Sequence, residues 1–122
     1  MIQLGTALKS TEDPYHRCLV ISDPERNGGQ VVLVRITTDD GTWPDRDCIL
    51  TPQDWGELER PSTVAYSTCK YGPASAALEQ AIQRRLFEQI ASPSIAVLRK
   101  IIAAARIAKG MPPGAKKLLA QV

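Results

Sequence analysis

The constraint that most limits this chain is a pair of apolar runs on either side of Asn27-Gly28. Leu19-Val20-Ile21 comes first. The stretch Asp23-Pro24-Glu25-Arg26-Asn27-Gly28-Gly29 follows, and then Val31-Val32-Leu33-Val34-Arg35-Ile36-Thr37-Thr38. Proline fixes φ and Asn-Gly reaches positive φ cheaply, so the middle stretch turns. The valine-rich run suits a pleated surface. Together they predict a β-hairpin. A long polar loop, Asp39 to Asp47, comes next, then a short strand, Cys48-Ile49-Leu50, ended by Thr51-Pro52. Asp54 to Leu58 reads as a helical turn. Ser62 to Ser67 alternates polar and apolar residues and reads as another strand. Short strands separated by turn signals predict a small closed or half-closed antiparallel β-barrel.

The pattern changes after Gly72-Pro73. Ala74 to Gln89 is rich in helix formers, with Leu78, Ile82 and Leu86 on one face and Ala81 beside them. Ser92 is the expected N-cap of a second helix with Pro93 at its first position. Ile95, Leu98, Ile102 and Ala105 form its apolar stripe, which either the barrel or a symmetric partner must cover. Gly110 and Pro112-Pro113 end that helix, and Lys116 to Gln121 reads as a last short one. The expected class is therefore α+β, with a β-barrel over residues 1–72 and a basic helical extension over 73–122.

At 122 residues and 43% hydrophobic content the chain fits one domain with a real core. No apolar run approaches the ~20 residues that span a bilayer, and the N-terminal stretch lacks the pattern of a signal peptide. Cys18, Cys48 and Cys69 are odd in number and form no CxxC pair, which points to a reducing, cytoplasmic setting. Residues 1–75 carry seven Lys/Arg against eleven Asp/Glu, and residues 76–122 carry eight against two. An acidic body with a basic tail suits RNA held through its phosphates, and equally suits solvated helix faces or an acidic partner.

The single histidine, His16, stands two residues before Cys18. A Cys-His nucleophile pair is possible there, but Cys18 as a small buried hydrophobe and His16 as a strand-end residue is the stronger reading. The spacing of His16, Cys18, Cys48 and Cys69 does not preorganise zinc. Asp39, Asp40, Asp45 and Asp47 lack calcium-loop spacing, and no cofactor is called for. What remains is Arg17, Thr37, Thr38 and Ser67, with Asp39 and Asp40 nearby. A hairpin brings the start of its first strand beside the end of its second, so Arg17 meets the threonines at one end of the sheet. That grouping suits phosphodiester cleavage by a neighbouring ribose hydroxyl, although by pattern alone Arg17 as a surface strand residue, with threonines that merely fit a strand, is the stronger reading. A guanidinium stabilises the charge that builds on the phosphoryl oxygens, and hydroxyls donate to them.

The stretch His16-Arg17-Cys18-Leu19-Val20-Ile21-Ser22, the turn, and the strand ending Ile36-Thr37-Thr38 resemble the MazF/PemK-like toxins, and most of all the uncharacterised PemK-like branch. In that family an Arg opens the strand before the turn and a Thr or Ser closes the strand after it. Cys18 stands where the family commonly has proline. The resemblance covers roughly residues 1–72 and implies an SH3-like barrel. It further implies a metal-independent endoribonuclease, a hydrolase that cuts single-stranded RNA in a type II toxin–antitoxin system. Its expected partners are a cognate antitoxin and a second copy in a homodimer, with no membrane. Arg17 would take the phosphate-stabilising role, Thr37 the hydroxyl role with Thr38 as the alternative register, and Asp39 the proton. Arg35, Ser67 and Lys70 complete the set as RNA-contacting residues. The rival expectation is a non-catalytic barrel module that binds RNA or a protein partner.

Overall fold

A computed structural model describes residues 1–12 and 16–122. The strands are β1 (Ala7–Ser10), β2 (Arg17–Val20), β3 (Val31–Thr38), β4 (Ile49–Leu50), β5 (Ser62–Gly72) and β6 (Phe87–Ile90). The helices are α1 (Ser75–Gln83), α2 (Ile95–Ile107) and α3 (Pro113–Lys116). The strands form one six-stranded sheet in the order β4-β5-β3-β2-β1-β6, and every pairing is antiparallel. The sheet is open, whereas the sequence reading left closure undecided and the SH3-like comparison implied a barrel. Among the described residues no helix is long and apolar enough to cross a membrane.

The predicted hairpin is β2–β3, in a register that pairs Arg17 with Ile36 and Val20 with Leu33. Gly28 and Gly29 supply the positive φ of its turn, 73° and 84°. Side chains alternate across a strand. Leu19, Val32, Val34 and Ile36 therefore point to the inner face and join the main core with Leu50, Val64, Tyr66 and the buried side of α2. Val20, Val31 and Leu33 point outward, where Ile2 and the α1 residues Leu78 and Ile82 cover them.

The chain beyond residue 72 is less helical than expected. Helix α1 stops at Gln83, Arg85 takes φ 61°, and the chain turns back as β6. Helix-forming composition is a weak prior that tertiary contacts override. Here the override is a complete ladder against β1, from Ala7↔Ile90 to Ser10↔Phe87. The Thr11 hydroxyl donates to the Arg85 carbonyl at 2.6 Å and locks the reversal. Leu86, expected on a buried helix face, is exposed. A boundary at residue 72 thus cuts through the sheet, since β6 comes from beyond it.

Helix α2 begins two residues later than predicted. Ser94 is the N-cap, accepting from the Val97 amide at 3.2 Å, because the Ser92 hydroxyl donates instead to the Gly5 carbonyl at 2.6 Å. Leu98, Ile101, Ile102, Ala104 and Ala105 are buried against the chain's own sheet. Ile95, predicted in the stripe, is exposed. The Tyr66 hydroxyl fixes the contact by donating to the Ile101 carbonyl at 2.7 Å. The helix face that a partner copy was invoked to cover is thus filled from within. Residues 117–121 are not helical. Ala120 instead donates its amide to the Ile21 carbonyl at 3.1 Å.

Candidate functional site

One cavity of about 250 Å³ opens at the end of the sheet where β2 starts and β3 ends. Register builds its floor. Lys9 pairs with Arg17 and Arg17 with Ile36, so these side chains share one rung on the inner face. Thr38 pairs with Ser62 one rung further out on the same face. Thr37 belongs to the opposite face by alternation, yet it too lines the cavity at the end of the strand. Arg17, Thr37 and Thr38 are therefore brought together as the hairpin predicts, and Thr38 is the one on Arg17's face.

The wall comes from the segment between the expected turn at Asp54–Leu58 and the strand that begins at Ser62, and its Glu59 and Arg60 are not among the expected site residues. Leu58, Glu59, Arg60 and Ser62 line it, with His16 opposite. This segment is anchored on both sides. Asp54 accepts from the Thr51 amide at 2.7 Å and from the Thr51 hydroxyl at 3.1 Å. The Trp55 indole donates to the Ala91 carbonyl at 2.8 Å. Leu58 is buried in the core, and the Asp39 amide donates to the Pro61 carbonyl at 3.0 Å. Glu59 and Arg60 are held at the cavity as a result. A hint was available in the sequence: Glu59-Arg60-Pro61 directly precedes the strand that pairs with the end of β3.

Charge in the site centres on Arg17. Its side chain is only 18% exposed, and its NH2 lies 3.7 Å from Glu59 Oε1. Among the described residues its buried Nε has no hydrogen-bond partner. A buried guanidinium N–H left unpaired costs roughly 1–3 kcal/mol. Lys9 and Arg60 add two more cations to the lining. Cations and hydroxyls at the end of the sheet form a surface suited to a phosphate oxyanion.

The remaining predicted residues lie elsewhere. Asp39 adjoins Thr38 in sequence but does not line the cavity. It is paired with the Arg46 guanidinium through both carboxylate oxygens. That pairing, helped by the Gly41 amide, holds its carboxyl below the usual range, which opposes a role as proton acceptor. Arg35 and Lys70 face the outer side of the sheet, where with Cys18, Leu33, Leu78 and Phe87 they line an apolar groove of about 410 Å³. Arg35 lies over the Trp43 ring, 5.5 Å from its centroid. Ser67 is bound by its amide at 3.0 Å and its hydroxyl at 2.5 Å to Asp45. The three expected RNA-contacting residues thus divide between two places outside the Arg17 cavity.

His16 borders both the cavity and the outer groove. Cys18 is buried, and burial raises its thiol pKa to about 11, against smaller opposing effects of Arg35 and Lys70. A thiol so raised is a poor nucleophile. Among the described residues no group of three or more His, Cys, Asp or Glu is arranged to hold a metal ion.

No protein-family model matches the chain, and no curated protein matches it. Among solved structures, it is similar to a chain of the MazE-MazF crystal structure from Deinococcus radiodurans. The two are 18% identical with a TM-score of 0.55, and the match covers 91% of this chain and 98% of that one. The α+β fold of this protein, an open antiparallel sheet with three helices, is MazF-like.

Proposed function

We propose that this protein is a metal-independent endoribonuclease of the MazF/PemK-like kind, the toxin of a type II toxin–antitoxin pair, cutting single-stranded RNA in the cytoplasm. The observation that carries the reading is the largely buried Arg17 guanidinium, which lines one cavity with Thr37 and Thr38. The MazF-like fold supports it, and so does the resemblance of the hairpin residues to the PemK-like branch.

The chemistry follows from the residues. RNA carries its own nucleophile, the ribose 2′ hydroxyl next to each phosphate, so the protein has only to orient the phosphate and stabilise its added charge. Arg17 does so with parallel N–H donors. The Thr38 hydroxyl, on the same face, donates to a second phosphoryl oxygen, and Thr37 borders the strand that enters. A cognate antitoxin would act by covering this cavity, and a homodimer would set two such cavities on one particle.

The test is incubation of the protein with mixed single-stranded RNA in EDTA, beside Arg17→Ala. Removing a preorganised charged donor from the transition state costs about 10²–10³ in rate. The parent is expected to cut and the variant to lose nearly all cutting while keeping its circular dichroism spectrum. Equal cleavage by both proteins would remove Arg17 from the site. Intact RNA with both would leave a non-catalytic module that binds RNA or a protein.

A further inference from the structure

We infer that the groove on the outer face of the sheet binds an amphiphilic carboxylate, an acyl chain of medium length with one anionic head. The inference stands apart from the ribonuclease reading above. Register builds the floor. Cys18 pairs with Arg35 across β2 and β3, and Leu33 pairs with Lys70 across β3 and β5. Arg35 and Leu33 lie two residues apart on one strand and so share the outer face. Leu78 of α1 and Phe87 of β6 enclose the sides. At about 410 Å³ the groove is within the usual range of small-molecule sites.

The groove is also the wider part of a longer trough. A second hollow of about 160 Å³ shares Leu33, Lys70 and Leu78 with it and adds Val31, Tyr71 and Ala74. The two together follow β3 beneath α1. From Arg35 to Val31 the strand advances about 13 Å, which suits an extended chain rather than a compact ring. Packing leaves this space open. Leu78 and Ile82 pack toward the sheet, yet α1 has no fully buried residue. Protein interiors are otherwise close-packed. An apolar chain in the trough would supply the contacts that α1 does not make.

Charge sets the direction of the chain. Arg35 stands at one end with Lys70 alongside, and no carboxylate is among the described residues that line either hollow. Neither cation forms an ion pair with a described residue. Burial raises the Cys18 thiol, and Arg35 and Lys70 both oppose that rise, so their charges converge over the floor. Toward Val31 the added lining is apolar except for the Tyr71 hydroxyl. A single anionic head therefore belongs at Arg35 and Lys70, with its chain running toward Ala74. A nucleic-acid strand fits less well, because it brings a charge with every nucleotide and would set some of them against Val31 and Ala74.

The experiment titrates the full chain with decanoate below its micelle concentration, with decanol as the neutral control. Calorimetry and amide NMR follow the binding. Saturable one-to-one binding is expected, with shifts centred on Cys18, Leu33, Lys70 and Leu78. Decanol should bind about tenfold more weakly, the worth of one charge-assisted hydrogen bond. Arg35→Gln and Lys70→Gln should each weaken decanoate by about five- to tenfold and leave decanol unchanged, which separates lost charge from lost folding. Equal binding of decanoate and decanol overturns the inference. So does an absence of saturable binding, or shifts spread over the exposed Leu86, Ile95 and Ile107. Displacement of decanoate by mixed single-stranded RNA would assign the groove to nucleic acid instead. A dimer by sedimentation that excludes decanoate would assign it to a second copy, and either result overturns the inference.

Discussion

Replacing Asp45 by alanine should destabilise the whole fold through one joint, and the size of the effect can be worked out. Between Leu33 and Arg35 the β3–β5 register shifts, so that Val34 alone faces the β5 segment Tyr66 to Cys69. A bulge that large leaves ladder groups without a strand partner. Asp45 fills the gap. It is 3% exposed and accepts from the Ser67 amide at 3.0 Å and the Ser67 hydroxyl at 2.5 Å. Its own carbonyl accepts from the buried Thr63 hydroxyl at 2.5 Å, a bond that alanine would keep. Packing over the pair is tight: a Cβ at Gly110 would come 2.9 Å from Asp45 Oδ1 and 3.2 Å from Ser67 Cβ. A hydrogen bond to a charged group contributes about 1.5–3 kcal/mol. Ser67 is exposed, so water recovers part of the two that are lost, leaving a net cost of about 2–3 kcal/mol. At roughly 4 °C per kcal/mol for a chain of this size, the melting midpoint should fall by about 8–12 °C. Asp45→Asn keeps the shape and one good acceptor, and should lose only about 1 kcal/mol. Thermal unfolding followed by circular dichroism checks both. An Asp45→Ala protein that melts within about 2 °C of the parent would refute the view that this carboxylate closes the bulge.

Two further outcomes follow from the packing. The buried Cys18 thiol is raised from 9.0 to about 11, so above pH 9 the unfolded chain releases this proton before the folded one does. The stabilisation is complete below pH 9 and is lost as pH rises to about 11, by up to ~3 kcal/mol from Cys18 alone. Urea unfolding at pH 8 and pH 11 measures it, and Cys18→Ala should show a smaller alkaline loss. Trp55→Phe removes the indole donor to Ala91 at a cost of about 1–2 kcal/mol. If that bond holds the Glu59 segment at the cavity, the variant should also cleave RNA more slowly at 25 °C, where it remains folded.

What was legible in the sequence follows locality. The β2–β3 hairpin was readable because turn chemistry and both strands lie within about twenty residues. That same register brings Arg17 to Thr38. β1 was missed because Ala7-Leu8-Lys9-Ser10 is too short to show alternation. β6 was missed because Phe87-Glu88-Gln89-Ile90 continues a helix-forming stretch, and only its pairing with β1 makes it a strand. Lys9 reaches the cavity through β1. Glu59 and Arg60 reach it through the β3–β5 pairing, which joins Thr38 to Ser62. No periodicity near Glu59 announces either contact. Asp39 misled for the opposite reason: adjacency in sequence to Thr38 implied a shared site, but the strand ends there and the Arg46 ion pair takes the carboxylate away.

The charge of the site also differs in origin from what composition suggested. The excess of lysine and arginine lies beyond residue 75, which invited the reading of a basic tail that draws RNA in. Every residue lining the Arg17 cavity comes from the first 62 positions, the acidic part of the chain. Two tail cations are turned toward the protein's own carbonyls: Lys100 donates to Ile49 at 3.4 Å and Arg106 to Ala120 at 2.6 Å. Coulomb energy falls with distance and with screening, and the Debye length is only about 8 Å at physiological salt. A cation in contact with a phosphate therefore outweighs several on a distant helix face. Among the described residues that line the cavity, Lys9, Arg17 and Arg60 are cations and Glu59 is a carboxylate, a local composition that the net charge of neither half of the chain describes. The tail's contribution to the site is mechanical: α2 covers the inner face of the sheet and so keeps rigid the strands from whose ends the cavity is made.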